Sequence, residues 1–396
     1  MAMKQEVIIA NIAFLQFIKK FFAEFFIIAL PVVIFSMKLS GVFSSYLLSA
    51  YYLGVFIAIF IAGPMSDSLG RRSVLLRILP MFIVGSVLCF FGNLLLLFVG
   101  MFFMGIGIGS VTSLGRVMVF DLYHNTDKLL KVYTTISALV VWAPAIAMVF
   151  GAYLVSFFDW QWTFLTSFII GSIALISVYT MPESHPRSSG SSDGRSFYFR
   201  YFHILKEPSV LFLLLAIGLF TSAVVAYFII TVWIFWKKLQ IPFSLIGYYS
   251  VFVIAAKFLG NFVSVIMVSR YGYTKSAVSG VLISFFAAVL MCVFSYTFAL
   301  GVVAVVGPMM LYMFGLGLSL PTVGFLMFKY VKNHIASCSS AIGMSTALFG
   351  SLVAFLSTFF NIDNAHDLSR FLLVSSLLAS ITFTLVLRHD KFARLN

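Results

Sequence analysis

The chain has 396 residues, of which 62% are hydrophobic and only 9% are charged, and its mean hydropathy is +1.10. A soluble domain carries about 25% charged residues, so this composition excludes a water-soluble globule. The same hydrophobicity excludes a disordered chain. The net charge of +13 does not indicate nucleic-acid binding, because the basic residues stand mostly in short connections between apolar runs. The three cysteines all lie in apolar runs, in neither a disulfide framework nor a metal-binding pattern.

Twelve apolar runs follow one another along the chain, with lengths close to the roughly 20 residues that a bilayer span needs. Each run is predicted to be a helix, because backbone groups in lipid must find hydrogen-bond partners within their own segment. The fourth run follows the third so closely that a tight turn is expected between them. The runs fall near residues 9–35, 43–64, 74–92, 94–118, 131–157, 162–181, 209–235, 244–268, 275–297, 300–327, 336–360 and 369–387.

A polar stretch between the sixth and seventh runs divides the chain into two halves of nearly equal size. It is rich in serine and glycine around residues 188–194, a composition typical of a flexible linker. We expect an N-terminal six-helix half over residues 1–181, a cytoplasmic linker over 182–207 and a C-terminal six-helix half over 208–396. The predicted fold class is therefore an all-α polytopic membrane protein with twelve transmembrane helices in two six-helix halves.

The distribution of lysine and arginine predicts the orientation in the membrane. Connections and run ends on the N-terminal side carry seventeen of these residues, and those on the opposite side carry four. The positive-inside rule then places both termini in the cytoplasm, as the even number of spans also requires. The first run shows no clear cleavage site, so we expect it to be retained as a span in the inner (cytoplasmic) membrane.

The connection after the second run carries the most specific motif. It reads Gly-Pro-Met-Ser-Asp-Ser-Leu-Gly-Arg-Arg over Gly63–Arg72, and its glycines allow a sharp turn. This segment resembles the loop signature of the major facilitator superfamily. Together with Ala29–Pro31, Tyr51 and Gly54, it looks like the bicyclomycin-resistance branch of drug:proton antiporters. A similar short basic turn recurs about 200 residues later at Ser264–Tyr273, which is a faint sign of an internal repeat.

The resemblance implies the superfamily fold and a proton-coupled exporter of small amphipathic compounds or drugs that works by alternating access. Its partners would be a small-molecule substrate, protons and the lipid bilayer, and the chain would act as a monomer. We expect no cofactor, metal or nucleic acid. An enzyme is not expected, because the sequence has no nucleophile elbow, zinc motif or phosphate-binding loop.

The resemblance also assigns a cytoplasmic gate. Asp121, at the inner end of the fourth run, would pair with Arg72 or Arg71 when the cytoplasmic side is closed. Asp67 would stabilise the same closed state from the loop. Charge-assisted hydrogen bonds of this kind can lock neighbouring helix ends.

The fifth run contains a sequence similar to the antiporter motif of the family, at 143–151. Pro144 removes a helix hydrogen bond and Gly151 permits close approach, so this helix is expected to bend or to seal against a neighbour. Two departures weaken the match, because Ala143 stands where the family has Gly, and Ala152 stands where it has a second Gly.

The fourth run departs further from the family. The positions where the family has an Arg and a Gln are Met101 and Met104 here, which places the usual proton relay of that Arg in doubt. This departure leaves room for a different class of function, a non-transporting membrane sensor or assembly scaffold that retains the fold.

Glu24 is the candidate residue for proton coupling. Of the twelve acidic residues, it alone falls deep inside an apolar run. A charged and unpaired carboxyl there costs several kcal/mol, so such a residue is typical of functional sites. Glu24 also aligns with the acidic residue of the family's first helix. Lys20 lies one helical turn away on the same face, and a direct pair with Glu24 would hold the carboxyl charged, which works against a simple proton carrier.

Three basic residues inside runs raise an alternative substrate. If Lys20, Lys257 and Arg116 line the cavity, its charge favours an organic anion such as a carboxylate metabolite or siderophore. The opposing interpretation is that Lys19 and Lys257 extend to a membrane interface.

Overall fold

The computed structural model describes residues 2–122, 132, 135–136, 138–183, 204–297, 301–330, 335–359 and 365–393. Within these ranges the chain folds into helices joined by short turns, and the described residues form no strand. The N-terminal half contains α1 (Ala2–Ser36), α2 (Val42–Leu69), α3 (Arg71–Phe90), α4 (Leu94–Gly109), α5 (Val111–Leu122), α6 (Ala143–Phe157) and α7 (Gln161–Thr180). The C-terminal half contains α8 (Pro208–Trp233), α9 (Phe243–Tyr271), α10 (Tyr273–Thr297), α11 (Val302–Tyr330), α12 (Ile335–Leu356) and α13 (Ala365–Ala393).

Eleven segments of the described structure are long and apolar enough to cross a membrane. Helices α4 and α5 form one of them, interrupted at Ser110. The 35-residue α1 is the twelfth long helix, and it differs from the others because Lys19, Lys20 and Glu24 interrupt its apolar sequence. The predicted all-α architecture with twelve spanning helices is confirmed.

The helices pack mainly within two groups. In the first half α4 packs on α2 and α3, while α1 packs on α6 and α3 on α7. In the second half α11 packs on α9 and α10, and α8 packs on α12 and α13. The two halves meet chiefly where α2 contacts α12 and where α6 contacts α9. The predicted linker falls largely outside the described residues, so its boundaries stay a prediction.

Glycines let the helices in each half approach closely, and the contacts repeat between the halves. Gly54 of α2 faces the backbone of α4 at Gly105, and Gly260 of α9 faces the backbone of α11 at Gly317. In the same way α3 meets α4 where Gly85 faces Gly100, and α10 meets α11 where Gly280 faces Gly315. Small residues at helix crossings permit backbone contact in membranes. The glycines of the fourth run therefore serve helix packing.

The structure corrects the predicted end of the second helix. The run was expected to end near residue 64 and to be followed by a turn, but α2 continues to Leu69. Its polar residues are accommodated on the helix, because the Ser66 hydroxyl donates to the Gly63 carbonyl at 2.9 Å. The chain turns only at Gly70, which has a φ of 91°. The tight turn expected before the fourth run is confirmed at Gly92, whose φ is 70°.

Candidate functional site

The centre of the bundle contains a charged cluster made of Lys20, Glu24, Arg116 and Lys257, which we call the central cluster. Glu24 interacts electrostatically with Lys20 on its own helix and with Lys257 on α9. Lys20 in turn interacts with Arg116 on α5. The sequence predicted Lys20, Lys257 and Arg116 as cavity residues and Glu24 as the proton carrier. The fold brings Lys20, Glu24 and Lys257 within electrostatic range of one another and Arg116 within range of Lys20, with contributions from both halves.

The depth of the cluster follows from helix geometry. Glu24 lies 12 residues before the end of α1 at Ser36, which is about 18 Å at the rise of an α-helix. Lys257 is the middle residue of the 29-residue α9. These positions are close to the middle of a hydrocarbon core that is about 30 Å thick. Lys257 therefore lies too deep for a simple interfacial anchor.

The Glu24 carboxyl lacks hydrogen-bond partners in the described structure. Its side chain is half-buried, and its Oε2 atom is buried without a hydrogen-bond partner. The hydroxyl of Tyr51, whose ring is fully buried, also lacks a partner, and Tyr51 and Tyr52 of α2 both lie within electrostatic range of Glu24. Lys20 forms no direct ion pair with Glu24 among the described salt bridges, so the carboxyl is not locked to its helical neighbour.

Lys20 is exposed although it lies in the interior of a membrane-spanning helix. Its charged neighbours stand on α5 and α9, so the side chain faces an opening inside the bundle and not the surrounding lipid. Arg116 is half-buried and interacts with Lys19, Lys20 and, on α12 of the other half, Cys338. The opening is therefore bordered by residues of both halves.

Aromatic side chains lie beside the central cluster. The rings of Phe21 and Phe25 on α1 are 6.0 and 6.1 Å from the ring of Phe150 on α6. The ring of Trp142, the residue directly before α6, is 5.3 Å from that of Phe258, the residue after Lys257. Helix α6 thus links α1 to α9 through aromatic contacts next to the charged groups.

The two candidate residues of the fifth span shape α6. Pro144 stands at the first turn of α6, directly after a break in the helix at 141–142. A Cβ atom at Gly151 would lie 2.7 Å from Ile28 and 3.0 Å from Phe25, so this glycine permits the close approach of α6 to α1.

The basic end of the bundle, where α1 begins, carries an ion pair within the first half. Arg71 Nε lies 3.3 Å from Asp121 Oδ2, and Arg71 Nη1 donates to the Ser66 hydroxyl at 2.6 Å. Arg72 does not contact Asp121; its guanidinium donates to the carbonyls of Val178 and Tyr179 on α7. Of the two arginines that the sequence offered, Arg71 is the partner of Asp121.

Asp67, the remaining residue of the predicted gate, lies in α2, and its side chain is outside the described residues. Its part in the gate therefore stays a prediction.

Hydrogen bonds join the two halves at the opposite end of the bundle. The Ser49 hydroxyl donates to the Ser351 carbonyl at 3.0 Å, and the Ser351 hydroxyl donates to the Ser49 carbonyl at the same distance. The hydroxyls of Tyr153 and Tyr248 lie 3.1 Å apart. Sequence reasoning missed these four residues, because isolated serines and tyrosines near the ends of apolar runs carry no distinguishing pattern. Their contacts hold α2 against α12 and α6 against α9 in this structure.

Two helical halves around a charged centre, bonded to each other at one end, define a membrane protein of the secondary transporter class. The model of the Major Facilitator Superfamily matches residues 12–386. The chain therefore belongs to the major facilitator superfamily, and it is a transporter and not an enzyme.

The relatives agree with this assignment. An uncharacterized transporter of Rickettsia bellii is 24% identical over 356 residues, which cover 86% of each chain. The multidrug resistance protein MdtL of Escherichia coli is 26% identical over 172 residues, which cover 43% of this chain and 44% of MdtL. The crystal structure of the nucleoside transporter NupG superposes with a TM-score of 0.74 at 14% identity, covering 97% of this chain and 99% of that one. At that identity the likeness shows the fold alone.

Proposed function

We propose that this transporter moves small amphipathic compounds across the membrane by alternating access, coupled to protons through Glu24. The observation that carries the proposal is the Glu24 carboxyl, which lies mid-membrane with a buried oxygen that no described group bonds. A carboxyl held in a fixed ion pair could not gain and lose a proton during transport. Glu24 instead has charged neighbours on two halves at electrostatic range, so its protonation state responds to how the halves are arranged.

The amphipathic character of the substrate rests on the surroundings of Glu24. Tyr52 of α2 is half-buried and lies within electrostatic range of Glu24, so its ring offers aromatic surface next to a carboxyl and lysines, which suits a compound with an apolar body and a polar group. For a compound without negative charge, proton and compound compete at Glu24, and the result is export in exchange for protons. The name of the relative MdtL, a multidrug resistance protein, supports that direction.

We assign the gate at the basic end to Asp67, Arg71, Arg72 and Asp121. The Arg71–Asp121 pair ties the start of α3 to the end of α5, and Arg72 ties the same start to α7. Such a rigid corner lets the first half move as one body. The seventeen-to-four distribution of lysine and arginine supports a cytoplasmic position for this end and for both termini, in the inner membrane. We propose that the monomer is the transporting unit.

Proton movement in proteoliposomes with an imposed pH gradient tests the function. Wild type, Glu24→Gln and the matched control Glu207→Gln, which changes a carboxyl at the start of α8, would each receive lipophilic cations and polycarboxylates. We expect substrate to dissipate the gradient in wild type and in Glu207→Gln, and dissipation with Glu24→Gln to fall to the level of empty liposomes.

Equal dissipation by Glu24→Gln would show that Glu24 does not carry the proton. A protein that binds compounds but moves none of them across liposomes, with or without a gradient, would favour the sensor or scaffold instead.

A further inference from the structure

The charges of the central cluster do not balance. Its cations Lys20, Arg116 and Lys257, and Lys19 beside them, interact with one another or with Glu24, which is the one acidic partner among the described residues of this region. Even if one lysine compensates Glu24, the remaining cations stand in the interior of a membrane protein without an anionic partner. Uncompensated charge in such a medium costs several kcal/mol, which a bound anion would offset.

We infer that the transported compound carries a carboxylate-like anionic group, which Lys20 of one half and Lys257 of the other hold between them. The inference rests on the proposed transport function and names its substrate class. Lys20 faces the opening inside the bundle, and the position of Lys257 is fixed because Gly317 lets the backbone of α11 pack on the carbonyl of Lys257. The two ammonium groups belong to elements that move relative to each other in alternating access.

A site shared between the halves couples binding to movement. An anion between Lys20 and Lys257 screens their mutual repulsion, so binding favours the arrangement in which the halves are close at this level. The half-buried ring of Tyr52, which lies within electrostatic range of Glu24, would receive the apolar body of the same compound. The site thus has a charged part and an apolar part, as an amphipathic anion requires.

Glu24 determines whether proton and substrate move in the same direction or in opposite directions. The charged carboxyl of Glu24 and the anion of the substrate both need Lys20 and Lys257, so they oppose each other. Protonation of Glu24 frees the lysines for the substrate, and proton and anion therefore bind together. Among the described residues, the other titratable groups found within electrostatic range of Glu24 are Tyr51 and Tyr52 of α2, which add no positive charge. For an anionic compound, the transporter would move substrate and proton in the same direction.

Two permanently charged probes with the same aromatic body test the inference. Naphthalenesulfonate and naphthyltrimethylammonium differ in the sign of their charge, and neither changes its charge with pH. Binding to the detergent-solubilised full-length protein would be measured by equilibrium dialysis. We expect wild type to prefer the sulfonate, and Lys257→Gln and Lys20→Gln to lose about tenfold in affinity, as expected for the loss of one charged hydrogen bond.

Three control variants separate the site from folding and from general charge. Lys257→Arg keeps the charge and should retain binding, while Lys275→Gln removes an exposed lysine at the start of α10 and should change nothing. Sulfonate affinity in wild type should rise as the pH falls from about 8 to about 4, the range in which a carboxyl takes up its proton. In Glu24→Gln that rise should be absent, and binding should equal the low-pH wild type throughout.

Stronger binding of the ammonium probe, failure of both probes to bind, or unchanged sulfonate binding by Lys257→Gln would each overturn the anion site. The proton measurement with Glu24→Gln is independent of these results. Lysine-dependent sulfonate binding together with unchanged proton movement in Glu24→Gln would keep the anion site and remove the proton carrier.

Discussion

The turn between α2 and α3 and the turn between α9 and α10 occupy equivalent positions in the two halves. Each is a single glycine between two long helices, with a φ of 91° at Gly70 and 83° at Gly272. In each case the glycine N–H donates to the carbonyl four residues earlier, at 3.2 Å for Gly70 and 3.0 Å for Gly272. The backbone of the two turns is thus nearly the same.

The side chains around the two turns differ. A Cβ atom at Gly70 would lie 2.8 Å from a carboxyl oxygen of Glu183, whereas one at Gly272 would meet nothing within 4 Å. Glu183 accepts hydrogen bonds from the backbone N–H groups of Arg72 and Ser73, and Arg71 is buried against Asp121. In the second half Arg270 is exposed. The repeated fold supplies the turn in both halves, but the ionic contacts that fix it are described in the first half alone.

The largest difference in stability between the two turns should come from substituting the arginine beside each of them. Arg71→Gln leaves Asp121 without its partner at a largely buried position, and removing one member of such a pair costs about 2–3 kcal/mol when one partner is partly exposed. Arg270→Gln removes an exposed charge and should cost under about 0.5 kcal/mol. Thermal unfolding of both variants in the same detergent measures the difference.

Equal melting temperatures for Arg71→Gln and Arg270→Gln would show that the Arg71–Asp121 pair does not fix the first turn. A loss of transport by Arg71→Gln with normal stability would instead sharpen the contrast, because it would give the pair a role in gating alone.

Alanine at the two turn glycines should give a smaller contrast. Both glycines combine a positive φ with ψ values of 153° and 167°, a backbone region essentially limited to glycine, so a Cβ atom there costs about 1–3 kcal/mol in each variant. Gly70→Ala must also displace Glu183, so it should be the less stable of the two. Melting curves of Gly70→Ala and Gly272→Ala, compared with wild type, test the order. The reverse order would mean that Glu183 moves aside freely.

The smallest effect is expected for the helix cap. Glu183→Gln removes a negative charge from the N-terminus of α3, which is worth about 0.3–1 kcal/mol. Glu207→Gln, at the N-terminus of α8, also removes a negative charge, but the Glu207 side chain makes no capping hydrogen bond, so this variant should lose less stability. Unfolding in detergent distinguishes the two. If Glu207→Gln lost as much stability as Glu183→Gln, the hydrogen bonds of Glu183 to the N-terminus of α3 would not explain the effect.

Much of the site could be predicted from the sequence, because charged residues inside apolar runs stand out. Glu24, Lys20 and Lys257 were identifiable for this reason. Their contacts could not be predicted in the same way. The i to i+4 spacing of Lys20 and Glu24 on α1 is compatible with an ion pair, but Oε2 of Glu24 has no hydrogen-bond partner in the structure. The choice between Arg71 and Arg72 as partner of Asp121 also needed the structure, because it depends on the rotation of α3 against α5 and α7.

The sequence by itself determined that this protein folds in a lipid bilayer and how many helices span it. Both follow from local hydrophobicity, because lipid forces each apolar run to satisfy its own backbone. Only the tertiary structure decided that Lys257 lies within electrostatic range of Glu24 and that Ser49 is hydrogen-bonded to Ser351. These relations join residues hundreds of positions apart across two halves, and they depend on helix rotation and crossing. No local pattern encodes either of these, because packing between helices in lipid is set by the shapes of both partners.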